Sequence, residues 1–66
     1  MKSKQELNQL IGKKVEVTTK FDTVYIGKNM AYDYINNELV LNVSINERLE
    51  LVGIYYEHIK EVEVLN

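Results

Sequence analysis

The stretch Thr23 to Val43, TVYIGKNMAYDYINNELVLNV, constrains the fold more than any other part of the chain. Val24, Ile26, Met30, Tyr32 and Tyr34 share one parity, and Leu39, Leu41 and Val43 share another. A period of two is the pattern of strands with one buried face. Asp33-Tyr34-Ile35-Asn36-Asn37 separates the two runs and reads as a turn, because Asp and Asn side chains bond nearby backbone amides and tolerate positive φ. Gly27 interrupts the first run, where the lack of a Cβ lets a strand bend or admit a close neighbour. A strand bent at a glycine and returned through a polar turn curls a small sheet toward a barrel.

A chain of 66 residues is one domain, 1–66, near the lower size limit for independent folding. It has no cysteine, so neither a disulfide nor a thiolate metal site can reinforce it. Association with further copies is then the natural support for a small all-β unit. No apolar run reaches the roughly 20 residues of a membrane span, and the polar first residues do not form a signal peptide. The expected location is the cytoplasm. Net charge is −2, unlike the strongly basic surface of a non-specific nucleic-acid binder. The charge is uneven, however. Residues 1–20 hold five lysines against two acids, and residues 21–66 hold three basic residues against eight acids.

Ser3-Lys4-Gln5-Glu6 matches a capping box, and Leu7, Leu10 and Ile11 follow at helical spacing. Gly12 supplies the left-handed stop. A helix this short is marginal alone, so it must lie on the sheet. The first strand is expected over Lys14 to Lys20, with Val15 and Val17 inward. Phe21-Asp22-Thr23 connects it to the central strand, with Phe21 pinned against the barrel in preference to an exposed stacking platform. Ser44 to Arg48 reads as a hairpin loop. A fourth strand runs from Leu49 to about Tyr56, with Leu49 and Leu51 on one side and Val52 and Ile54 on the other. Apolar residues on both faces call for cover on both. Glu57-His58 is a minimal turn into a last strand, Ile59 to Leu65. One short N-terminal helix and five strands make a mainly β, strongly bent antiparallel barrel of SH3-like or OB-like size.

The order of these markers resembles the Sm-like family, the small barrels that include Sm, LSm and Hfq-type proteins. The resemblance rests on Leu10-Ile11-Gly12-Lys13-Lys14-Val15-Glu16-Val17, then Tyr25-Ile26-Gly27, Tyr32-Asp33, and Asn37 before Leu39-Val40-Leu41. It covers most of residues 7–43. Tyr56-Glu57-His58-Ile59 is similar to a shortened Tyr-Lys-His segment of the Hfq type, with Glu57 in place of the lysine. Three departures stand out: Asn36 replaces a usually apolar residue, Glu38 is an insertion, and the Arg-Gly pair of other members is absent. The resemblance implies a homo-oligomeric ring, a hexamer or heptamer, in which strand four of one subunit pairs with strand five of the next. It also implies a base pocket lined by Tyr34, Asn36 and Asn37 from one turn and Tyr56 and His58 from the other.

Those residue types suit a base, since an aromatic face stacks and an amide both donates and accepts. Lys13 and Lys14 are the expected phosphate contacts beside the helix. Structural roles compete with these: Asp33 capping its own turn, His58 held as a hydrogen-bonded turn residue, and Tyr25, Tyr32 and Tyr55 in the core. An enzyme is not expected, because one histidine, no cysteine and no phosphate-cradling glycine loop make no catalytic constellation. No cofactor or metal is implied. The sequence therefore reads first as a ring-forming module for single-stranded RNA. The alternative is an oligomeric barrel, of the kind phages and mobile elements encode, that captures a nucleotide-like small molecule or a protein. A purely structural assembly unit is a third reading.

Overall fold

The structure, a computed structural model, describes residues 2–65; the two ends of the 1–66 domain lie outside the described residues. Helix α1 spans Lys4–Gln9. The Ser3 hydroxyl accepts from the Glu6 amide at 3.1 Å, and the Glu6 carboxylate accepts from the Ser3 amide at 3.0 Å. The expected capping box is therefore formed. Gly12, at φ +89°, turns the chain out of the helix in a conformation that a side chain would strain. The strands are β1 (Lys14–Thr19), β2 (Val24–Asp33), β3 (Glu38–Ile45), β4 (Arg48–Tyr55) and β5 (Ile59–Leu65). A single 3-10 turn, Tyr56–His58, joins the last two.

All neighbouring strands are antiparallel, in the order β4-β3-β2-β1-β5. Among the described residues no ladder joins β4 to β5, so the sheet is open and these strands are its edges. It is nonetheless curled. The molecule measures 30 × 24 × 24 Å, and all five strands send side chains into one core with α1. Leu7 reaches from α1 into a core of Val15, Val17, Tyr32, Leu39, Leu41, Val43, Ile54, Ile59 and Val62. Burying a leucine side chain contributes about 2 kcal/mol, which is what a helix too short to persist alone requires. No helix among the described residues is long and apolar enough to cross a membrane.

β2 departs from the expected alternation. Leu39, Leu41 and Val43 are buried as read, but Val24, Ile26 and Met30 are exposed, and Tyr34 lies in the turn. The inward residues of the first half are instead Tyr25, Gly27 and Asn29. Gly27 faces Val43 and Asn29 faces Leu41 across the ladder, after which the register shifts and Tyr32 faces Leu39. Met30 is the extra residue of a bulge, and a bulge reverses which parity faces inward. Two other placements are corrected. Phe21 is 69% exposed rather than pinned, because its turn projects beyond the end of β1, and Tyr55 is 50% exposed on an edge strand rather than in the core.

The β3–β4 connection is tighter than the five-residue loop expected. Ile45 pairs directly with Arg48, leaving Asn46 and Glu47 at φ +50° and +65°. That is the two-residue hairpin geometry in which glycine usually takes the second position. Holding a side chain there costs about 1 kcal/mol. Glu47→Gly is therefore expected to raise the thermal midpoint by about 4–8 °C. An unchanged melting curve would show that the Glu47 side chain offsets the strain.

Candidate functional site

Two turns meet at one end of the sheet. The Tyr34–Asn37 turn is held by Asp33, one carboxylate oxygen of which accepts from the Ile35 amide at 2.9 Å and the Asn36 amide at 3.2 Å. The other oxygen accepts from the Asn36 side chain at 2.9 Å. Asp33 thus caps its own turn, and the Asn36 amide is largely committed to it. Asn37 takes φ +54°, a conformation asparagine tolerates better than most residues. Its carbonyl accepts from the Tyr56 amide at 2.8 Å, tying this turn to the 3-10 turn after β4.

The bonds to Asp33 hold its carboxyl below its ordinary value of 3.8, chiefly through the Asn36 backbone and then its side chain. Glu6 is likewise depressed, first by the Ser3 backbone and then by the Ser3 hydroxyl. A carboxyl with a lowered folded pKa stabilises the fold above its unfolded pKa and loses that contribution as pH falls through the folded value. The thermal midpoint should therefore drop on acidification below about pH 4. Asp33→Asn should make that drop shallower. An equally steep drop in the variant would leave Asp33 without a part in it.

Between the turns lies a groove of about 270 Å³ lined by Lys4, Asn36, Asn37, Tyr55, Tyr56 and Glu57. Tyr56 forms its floor: its hydroxyl donates to the Lys2 carbonyl at 2.9 Å, and its ring meets buried Tyr32 edge-on at 6.1 Å. The Lys4 ammonium stands 5.3 Å from the centroid of the Tyr56 ring and donates to the Asn37 side-chain oxygen at 3.1 Å. An aromatic face, an amide and an ammonium therefore converge on one opening. Burial pushes the Tyr32 hydroxyl above its ordinary pKa, with Tyr56, Tyr34 and Asp33 adding to the effect, so it is neutral at physiological pH.

The residues singled out from the sequence divide. Asn36, Asn37 and Tyr56 line the groove. Tyr34 does not line it; its exposed ring packs edge-on against that of Tyr32 at 4.9 Å. His58 faces a second depression, of about 140 Å³, shared with Thr19, Phe21, Thr23, Tyr25, Gly53, Ile54 and Tyr55. Lys13 and Lys14 are exposed at the start of β1 and do not line the groove. Sequence reasoning missed Lys4, Tyr55 and Glu57. Lys4 is 33 positions from its partner Asn37, and only the docking of α1 brings them together. Among the described residues no cluster of histidine, cysteine and carboxylate side chains is placed to hold a metal ion. No family model matches the chain, and no curated protein matches it.

Proposed function

We propose that this chain is an Sm-like module that assembles into a ring and binds single-stranded RNA, one base resting in the groove over Tyr56. The observation that carries the reading is the convergence of Tyr56, Asn37 and Lys4 on that groove. When Lys4 turns from the Tyr56 ring and the Asn37 oxygen to the adjoining phosphate, the ring offers a stacking face and the amide a donor and an acceptor for a base edge. Lys13 and Lys14 extend the positive surface beside the helix. The strand order supports the assembly, since it leaves β4 and β5 as edges for a neighbouring copy. Leu49 and Leu51 on β4 are 72% and 69% exposed, and an apolar edge strand favours pairing with another chain.

Native mass determination should give a closed oligomer that Leu51→Lys reduces to single protomers. Labelled oligo-U and oligo-A, titrated at two salt concentrations, test binding. Affinity should fall as salt rises, and Lys4→Ala should lower the salt slope by about one. The absence of oligonucleotide binding at either salt would refute the RNA reading. Glu57 on the groove wall and the net charge of −2 favour a second reading, an oligomeric barrel that captures a nucleotide-like small molecule or a protein. That reading predicts the same ring with no affinity for oligonucleotides.

A further inference from the structure

We infer that each protomer holds a second, adjacent base in the depression bordered by Phe21, His58 and Tyr55, so that its binding unit is two consecutive nucleotides. This rests on the RNA reading above and adds to it a separate site. The depression and the groove share one wall, Tyr55. A strand with one base over Tyr56 therefore has its next base beside the Tyr55 ring.

The second site is lined by aromatic side chains together with the polar Thr19 and Thr23. The His58 ring is flanked on two sides, with Phe21 at 5.0 Å and Tyr55 at 5.5 Å, both nearly perpendicular to it. Its volume of about 140 Å³ is well below the roughly 300 Å³ of sites for larger organic ligands. One flat heterocycle matches that size. Phe21 is exposed, yet its turn is rigidly made. The Thr19 hydroxyl oxygen accepts from the Phe21 and Thr23 amides, each at 3.2 Å, and the Thr19 carbonyl accepts from the Asp22 amide at 3.1 Å. The Lys20 amide donates to the His58 carbonyl at 2.8 Å, locking this turn against the one that carries His58. Thr19 is buried for this purpose. A large apolar ring held out in water on a fixed support is preorganised for a partner, and stacking is tolerant of base identity. Lys20 lies exposed beside the site, available to the intervening phosphate.

The chain has no tryptophan, so Phe21→Trp introduces a single indole reporter. Two labelled probes separate the outcomes: a uridine octamer, and the same octamer with alternate nucleotides abasic. The intact octamer should quench the indole of the Phe21→Trp protein and the abasic probe should not. On the unsubstituted protein the abasic probe should bind about tenfold more weakly. Phe21→Ala should weaken the intact octamer by about the same factor and leave the abasic probe unaffected, with the thermal midpoint unchanged. Equal affinity for both probes, with no quenching and no effect of Phe21→Ala, would overturn the second site while leaving single-base binding intact. Loss of the oligomer on Phe21→Ala would also overturn it, by making Phe21 an assembly contact. If neither probe binds the unsubstituted protein, the RNA reading fails and this inference fails with it.

Discussion

Gly27→Ala is expected to destabilise the protein by about 3 kcal/mol or more, a drop in thermal midpoint of at least about 12 °C. A Cβ added at Gly27 would run into the backbone carbonyl of Asn42 on the neighbouring strand, and the next contact is the Val43 side chain. Backbone in a paired ladder cannot move aside as a flexible side chain can, so β2 and β3 must separate locally. The loss is large against the roughly 0.1 kcal/mol per residue that holds small domains together. Gly12→Ala is the control. Its position has positive φ and open space around it, so it should cost only about 1 kcal/mol. Equal melting curves for the two variants would mean that β3 does not pass close over Gly27.

Asn29→Asp is expected to cost about 3 kcal/mol or more at neutral pH, with most of the loss recovered in acid. Asn29 is fully buried and its side-chain nitrogen donates to the Leu7 carbonyl at 2.8 Å. Its backbone completes the clamp. Its carbonyl accepts from the Gly12 amide at 2.7 Å, and its amide donates to the Lys13 carbonyl at 2.9 Å. A carboxylate in that position has no proton to give the Leu7 oxygen and is buried without a counter-charge. Its folded pKa is pushed above the unfolded value, so the penalty appears as pH rises through the unfolded pKa and is relieved as pH falls through the folded one. The variant should therefore gain stability on acidification over a range where the unsubstituted protein is level. Melting curves across pH decide the matter, and a variant that simply tracks the parent would show that Asn29 does not hold the helix.

Asn29 also shows why hydrophobic alternation misplaces the central strand. The helix start, Gly12, Val15 and Val17, and the span of β5 follow from local rules that neighbouring residues satisfy by themselves, whereas α1 ends at Gln9 and leaves Ile11 exposed. The facing of β2 does not. Its inward positions include a glycine and an asparagine, required by the close passage of Asn42 and by the Leu7 carbonyl, while apolar Val24, Ile26 and Met30 point outward. A reading by hydrophobic alternation must choose the wrong parity there. The Met30 bulge then restores agreement at Tyr32, which hides the error. At the groove, Asn36, Asn37 and Tyr56 were legible because they sit in turns that the sequence marks clearly. Lys4 was not, since nothing local to Ser3-Lys4-Gln5 relates it to a turn more than thirty positions away. Residue type alone places Phe21 against the barrel and Tyr55 in the core, and the topology leaves both at the margin of the sheet.

The groove has a consequence for synthesis on the ribosome. Its floor is Tyr56, its flank is Lys4, and its far wall is Asn37, contributed by the turn after β4, by α1 and by the β2–β3 turn. The turn that presents Tyr56 is anchored through His58 to Lys20 and continues into β5, which pairs along β1. A nascent chain that has emerged only as far as β4 can form hairpins but cannot frame this opening. The opening is thus framed only after Tyr56 and β5 have emerged, and a product that stops at β4 lacks the floor of the groove.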